Sequence, residues 1–207
     1  MTKEKISVFR SSKGLAKLLM VAALFISSCS VIEQINQMKQ FSQCEFKINT
    51  INQLSIAEVS MEGKKRISDF TFAETIRLTT ALAKDEIPAT FTIRLEAINS
   101  NNKKAAMNQL DWKLLIDQQQ VAKGIIEKQI VIPPNGRKVD FPVHVSVNLK
   151  ELLTGKSGEA LMNLVADITG QGSGKSELSM KLSPSIRVGN QMLQYPGYVT
   201  VKHQVEK

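Results

Sequence analysis

Cysteine and histidine are nearly absent from this chain, whose 207 residues include two of each, namely Cys29, Cys44, His144 and His203. So few cysteines exclude a disulfide framework and a cysteine-based zinc site. Cys44 opens a predicted strand, so we interpret it as a half-buried structural thiol, and neither histidine supplies a convincing base. The sequence therefore predicts no metal site and no cofactor.

The chain also lacks a concentrated basic region. Its formal net charge is +8, but residues 1–28 contain five lysines or arginines and one glutamate, a net of +4, which leaves +4 for the rest. Adjacent basic residues occur at residues 64–66 and 103–104, in predicted turns, which is typical of solvated loops; contact with anionic lipids is the alternative. This mild charge does not indicate a nucleic-acid partner.

An uncharged apolar run at residues 18–26 is too short to span a bilayer as a helix. Basic residues precede the run, and Ile-Ser-Ser-Cys at residues 26–29 fits the lipobox of bacterial lipoproteins. The small serines let the signal peptidase grip an extended backbone, and the thiol is the nucleophile that takes the diacylglycerol. We therefore predict a signal peptide over residues 1–28 and lipid attachment at Cys29. The alternatives are a buried helix or an ordinary secretory signal with an incidental cysteine.

Residues 29–43 form the lipidated N-terminus and its connection to the domain. The segment is polar and rich in glutamine, with apolar residues at near-helical intervals, so it is either a flexible tether or a short helix. Ser30 follows the cysteine, where an aspartate would retain an enterobacterial lipoprotein in the inner membrane. We therefore predict a periplasm-facing protein whose acyl chains anchor it stably in the bacterial outer membrane.

Apolar and polar residues alternate with a period of two in residues 89–97 and 139–149, which predicts strands with one buried face. Shorter apolar strands are predicted at residues 112–116 and 128–132, and the second of these ends at a Pro-Pro-Asn-Gly turn. Further strands are predicted at residues 160–169, 176–182 and 184–188. The glycine-rich residues 170–176 lack the spacing of a phosphate-binding loop and are interpreted as a hairpin loop.

One helix is predicted before the strand at residues 89–97, over residues 68–84. Thr71 and Glu74 form a capping-box signature, and Phe72, Ile76 and Ala83 then fall near one helical face. The helix is interpreted as the cover of an open end of the sheets. Two alternatives remain for this helix. It is either a movable lid over an apolar cavity, which would be a functional role, or a structural cover for a sheet edge.

The strand spacing and the absence of an internal linker predict one all-β domain over residues 44–207, an antiparallel β-sandwich with one inserted short helix.

The motifs of this domain follow a characteristic order: a strand, Asn-Ser-Asn at residues 99–101, Asp-Trp-Lys-Leu-Leu-Ile-Asp at 111–117, Ala-Lys-Gly at 122–124, an Ile-Pro-Pro turn and a long valine-rich strand. This order resembles that of the late-embryogenesis-abundant type 2 domain, also called the WHy domain. The family usually has proline where this chain has Ser100. The resemblance implies an immunoglobulin-like or fibronectin-III-like fold, found in plant stress proteins and in bacterial envelope lipoproteins, with no established catalytic residues.

Two non-enzymatic functions are consistent with these patterns. Carboxylates lie singly on predicted wet faces, without a nucleophile beside a base, so the sequence does not predict an enzyme. In the first, the domain binds lipid or another apolar ligand in a cavity lined by Phe91, Trp112 and Phe141. This binding would serve the envelope or stress protection. The second is a structural module that engages envelope proteins through a strand edge or loops.

Overall fold

The computed structural model describes residues 31–84, 86–150, 165–166 and 177–203. Two α-helices, α1, described over residues 31–42, and α2 (Phe72–Ala83), accompany a 3₁₀ helix at Ile67–Asp69 and a set of antiparallel strands. The strands are β1 (Glu45–Ile56), β2 (Val59–Ser60), β3 (Pro88–Asn99), β4 (Ala105–Met107), β5 (Gln109–Ile116), β6 (Gln119–Ile126), β7 (Ile130–Ile132), β8 (Arg137–Asn148), β9 (Leu178–Val188), β10 (Gln191–Gln194) and β11 (Val199–Lys202). The predicted signal peptide and Cys29 lie outside the described residues.

The strands form two main sheets and a small two-stranded one. The first sheet has the order β2-β1-β3-β8, and the second has the order β10-β9-β5-β6, with β11 on the same edge of β9 as β10. Strands β4 and β7 pair separately. Every pairing is antiparallel, which confirms the all-β, antiparallel part of the sequence prediction.

The two main sheets share one apolar core. Along β3 the side chains of Ala89, Phe91, Ile93, Leu95 and Ala97 are buried, as the period of two predicts. The alternate valines of β8 are buried in the same way, and β5 and β9 contribute their apolar residues to the same cluster. The long alternating strands therefore form the centre of the structure, and burial of their inner faces is the main source of its stability.

Helix α1 packs against this core. Met38 and Phe41 are buried, and the ring centroid of Phe41 lies 5.1 Å from that of Phe46 on β1. Of the two alternatives for this segment, tether or short helix, the structure shows a helix over residues 31–42. The buried core therefore begins before residue 44, where the sequence placed the start of the domain.

Helix α2 has the predicted capping box, but it begins at Phe72, after the predicted start at residue 68, and it buries a different face. Thr71 is the N-cap and accepts a hydrogen bond from the backbone N–H of Glu74, while the Glu74 carboxylate accepts one from the Thr71 N–H. The predicted apolar face is wrong, because Phe72 is 84% exposed and Ile76 is also exposed; Leu78 and Ala81 are the buried residues. Polar contacts hold the first turn of the helix, so its N-terminal apolar residues remain in solvent.

Several strands differ from the sequence prediction. Strands β4, β6 and β10 were not predicted, and β9 runs without a break through Pro184. The Pro184 carbonyl accepts a hydrogen bond from the Tyr195 N–H, on the edge that pairs with β10 and β11. The N–H and C=O of a strand residue face the same edge of the strand. The N–H that Pro184 lacks would therefore point between β10 and β11, where neither of them pairs with residue 184, so the proline removes no hydrogen bond to either strand. Of the predicted strand at 160–169, only residues 165 and 166 are described, and they are helical.

Candidate functional site

The three predicted lining residues lie in the core. Phe91 on β3 and Phe141 on β8 occupy neighbouring strands of the first sheet, and Trp112 lies on β5 of the second. All three are buried and belong to the same apolar cluster. The structure thus brings them into one core, where other side chains of the protein occupy their surroundings.

Trp112 has a specific packing role. Its cross-strand partner on β6 is Gly124, and a Cβ atom added to that glycine would lie 2.5 Å from Cζ2 of the indole. The indole therefore covers a position where any side chain would collide with it. This arrangement explains the glycine inside a strand and identifies Trp112 as a structural residue.

A cavity of about 580 Å³ lies elsewhere, beside β1. It is bounded by a bulge in β1, by the loop after β2, and by residues 165 and 166. The lining residues are Ile51, Asn52, Gln53, Leu54, Met61, Glu62, Gly63, Lys64, Lys65, Val165 and Ala166. None of the three residues that the sequence suggested contributes to it.

The bulge in β1 shapes the first wall of the cavity. Asn52 pairs with Thr92 and Ser55 pairs with Thr90, so β1 contains one more residue than β3 in this interval. Gln53 takes up the extra length with a positive φ of 56°. No sequence signal marked this position, because glutamine has no preference for a left-handed backbone.

A chain of polar contacts holds the Gln53 side chain against the outer face of the first sheet. The Thr92 hydroxyl donates to the Gln53 Oε1 atom at 3.0 Å, and its oxygen lies 3.1 Å from Nδ1 of His144. Because a hydroxyl has only one hydrogen to donate, His144 is the donor in the second contact. This arrangement satisfies the buried Thr92 and supports the rim of the cavity.

The second wall is fastened to the start of α2. The Lys64 ammonium group contacts the Glu74 carboxylate at 2.9 Å and the Asp69 carbonyl oxygen at 2.8 Å, and it lies 5.1 Å from the centroid of the Phe70 ring. The Asp69 carboxylate accepts hydrogen bonds from the backbone N–H groups of Lys65 and Arg66. The loop is therefore held by several contacts at once.

These contacts keep both carboxylates ionised. The backbone N–H of Thr71, followed by Lys64, lowers the pKa of Glu74 to about 2. Hydrogen bonds from the backbone of Lys65 and Arg66 lower the pKa of Asp69. Glu74 neutralises the charge of Lys64, while Lys65 on the same loop is exposed at the cavity rim.

The lining is mixed in character. Ile51, Leu54, Met61 and Val165 supply apolar surface, and the exposed Glu62 and Lys65 supply one charge of each sign. Such a combination suits a molecule with an apolar part and a charged group. The sequence predicts a basic turn at residues 64–66, but a local pattern cannot place that turn beside the β1 bulge.

Apolar side chains are also exposed after the loop that contains Lys64 and on α2. Ile67 follows the loop directly, and Phe72 and Ile76 lie one turn apart on α2. Lys64 connects this surface to the cavity, because its ammonium group binds Glu74 in the first turn of α2. We call Ile67, Phe72 and Ile76 the α2 surface.

Reactive groups are sparse in the described part of the chain. Burial raises the pKa of the Cys44 thiol to about 11, and this thiol donates a weak hydrogen bond to the Gln40 carbonyl at 3.4 Å. Within the described ranges, three or more histidine, cysteine, aspartate or glutamate residues do not converge in a group that could hold a metal ion. No helix among the described residues has the length and apolar character needed to cross a membrane.

Comparisons with known proteins do not identify a family. No family model matches the chain, and no curated protein matches it. One matching solved structure is titled "Crystal structure of protein from Archaeoglobus fulgidus"; it is 12% identical, the match covers 58% of this chain and 89% of that chain, and the TM-score is 0.29. The resemblance to the late-embryogenesis-abundant type 2 domain stays a prediction from the sequence.

Proposed function

We propose that this chain is a bacterial envelope lipoprotein, anchored in the outer membrane through Cys29, whose domain is a non-catalytic binding module. The lipobox at residues 26–29 supports the anchor. Two antiparallel sheets around one core support an immunoglobulin-like sandwich of the late-embryogenesis-abundant type 2 kind. In this proposal the domain binds an apolar or amphipathic ligand in the envelope.

The cavity beside β1 is the observation that carries this proposal. Its volume of about 580 Å³ lies within the range of ordinary small-molecule pockets. Two of its walls, the β1 bulge and the loop after β2, are held by pairing and by polar contacts within the domain, so these two walls do not depend on a ligand. The gap between the sheets at Phe91, Trp112 and Phe141 is a poorer candidate, because these side chains pack in the core.

The chemistry of the lining suggests a lipid with an acidic group, such as a fatty acid. The apolar surface of Ile51, Leu54 and Met61 accommodates an acyl chain, while the exposed ammonium group of Lys65 pairs with a carboxylate or phosphate. Lys64 contributes less, since Glu74 already neutralises it.

Native mass spectrometry with lipid extraction tests this proposal. The acylated protein, purified from a bacterial envelope, is expected to carry one lipid noncovalently, in addition to the acyl chains on Cys29. Lys65→Glu is expected to lower the lipid occupancy about tenfold or more, because a charge-assisted hydrogen bond is replaced by repulsion. Lys123→Glu on the exposed side of β6 is the matched control and is expected to retain the lipid. A natural protein without any noncovalent lipid would refute the ligand-binding function.

The α2 surface favours a second function, the interaction module. Phe72 is 84% exposed, and an apolar ring of this size on a helix surface is typical of a contact with another protein. Mild crosslinking in cells is then expected to capture an envelope protein, and Phe72→Ser is expected to abolish the capture. Ile125→Ser, at an exposed apolar residue of β6, is the control. No captured partner across several growth conditions would contradict this alternative.

A further inference from the structure

Helix α1 also exposes apolar side chains outside the face that packs in the core. Ile32 is 58% exposed and Ile35 is 39% exposed, and Lys39 is also exposed. These residues are three, four and seven positions apart, so they form one stripe along the helix. Met38 and Phe41 lie on the buried side. The helix therefore presents isoleucines to the surroundings although its other face already anchors it to the domain.

Two more lysines, Lys103 and Lys104 of the loop between β3 and β4, lie beside α1, across a shallow groove from Glu33 and Asn36. The Lys104 ammonium group lies 3.6 Å from the Glu33 carboxylate, and both side chains are largely exposed. Together with Lys39, the surface has three positive charges and one negative charge. Isoleucines surrounded by an excess of lysines match the interface of an anionic bilayer, where apolar groups enter the acyl boundary and ammonium groups bind phosphates.

The short sequence distance to Cys29 keeps this surface close to the proposed lipid anchor. Residue 31, the first described residue of α1, is two residues from Cys29, and two residues span at most about 7 Å. An acylated Cys29 holds its backbone at the level of the headgroups, so the first turn of α1 is held there too. We call Ile32, Ile35, Lys39, Lys103 and Lys104 the α1 surface.

We infer that the α1 surface lies on the anionic phospholipid bilayer that holds the acyl chains of Cys29, and that it fixes the orientation of the domain on the membrane. This inference rests on the acylation of Cys29 in the proposed function. The sandwich then lies on the side of α1 away from the bilayer, because Met38 and Phe41 face the core. The residues of α2 and of the cavity lining are different from those of the α1 surface and of its groove, and β1 separates them along the chain.

Site-directed labelling of the full, acylated chain tests the orientation. A fluorophore attached through Asn36→Cys, within the α1 groove, is compared with one attached through Arg77→Cys, an exposed position on α2. Acylation consumes the Cys29 thiol, and the buried Cys44 thiol has a pKa of about 11, so labelling near pH 7.5 is restricted to the introduced cysteine. The proteins are reconstituted in vesicles of phosphatidylglycerol and phosphatidylcholine, and quenching by a lipid-attached quencher is measured.

The label at Asn36→Cys is expected to be quenched strongly by the lipid-attached quencher, and the label at Arg77→Cys weakly. In docked protein the α1 surface touches the bilayer, and in undocked protein only the acyl chains do. Each lysine near an anionic surface raises the ratio of docked to undocked protein about fivefold. The combined variant Lys39→Gln, Lys103→Gln and Lys104→Gln is therefore expected to lower this ratio about tenfold or more. The control combines Arg66→Gln, Arg77→Gln and Lys84→Gln, which removes the same charge near α2 and is expected to change nothing.

Two results would overturn the inference, and they are distinguishable. Acylated protein in which both labels are quenched equally would refute the orientation while leaving the anchor and the cavity intact. Mass spectrometry that finds no acyl chain on Cys29 would refute the anchor in the proposed function and, with it, this contact.

Discussion

Replacing Phe41 tests whether α1 belongs to the folded domain. The side chain is fully buried, it is part of the apolar core, and its ring contacts that of Phe46. Truncating a buried phenylalanine to alanine costs about 3–5 kcal/mol, and the lost ring pair keeps Phe41→Ala away from the lower end of this range. We therefore expect Phe41→Ala to lower the free energy of unfolding by about 4 kcal/mol. A segment that served only as a tether would show almost no effect.

Urea unfolding of chains that begin at residue 29, with Cys29→Ser to prevent acylation, measures this difference. With a slope of about 2 kcal/mol per molar urea, the midpoint of Phe41→Ala is expected to fall by about 2 M. Ile35→Ala on the exposed side of the same helix is the matched control, and its effect is expected to stay within about 0.5 kcal/mol. Equal midpoints for Phe41→Ala and Ile35→Ala would refute the packing of α1 against the core.

Four further predictions follow from single contacts. Gly124→Ala is expected to lower the melting temperature, at a cost of about 1–3 kcal/mol, because the new Cβ collides with Trp112; an unchanged melting temperature would contradict this packing. The Cys44 thiol is expected to resist a thiol reagent at pH 8 until the protein is unfolded, and rapid reaction of the native protein would contradict its burial. The pKa of Glu74 is lower in the folded state, so its stabilising contribution is present above pH 4.5 and is lost as the pH falls towards 2; Glu74→Gln is expected to remove this part of the pH dependence of unfolding. Burial lowers the pKa of His203, so the folded state binds a proton less well than the unfolded state does. The free energy of unfolding is therefore expected to fall as the pH drops below 6.5. If His203→Gln left this pH dependence unchanged, His203 would not be its source.

The long strands could be predicted because their signal is local. Residues 89–97 and 139–149 alternate strictly, and β3 and β8 bury the faces that this alternation indicates. The capping box of α2 is equally local, and Thr71 and Glu74 make the expected contacts. Strand β6 was missed because its residues, Gln-Gln-Val-Ala-Lys-Gly-Ile-Ile, do not alternate regularly between apolar and polar, and its pairing with β5 is decided by the partner strand.

The candidate site was beyond sequence reasoning for a different reason. Apolar rings such as Phe91 are marked by the alternating pattern, but that pattern does not distinguish a packed core from a ligand cavity. The cavity depends on a bulge at Gln53 and on a loop from another part of the chain, held by Lys64 and Glu74. Such a site exists only once segments distant in sequence have been brought together.

The sequence by itself determined the all-β class, the inner faces of the long strands and the capping box of α2, because these follow from periodicity and from hydrogen bonds between near neighbours. Only the tertiary structure decided that α1 packs through Phe41, that α2 exposes Phe72, and that the cavity lies beside β1. The reason is that an amphipathic helix has more than one face able to be buried. Which face the core covers depends on the surrounding strands and loops, and a local pattern does not contain that information.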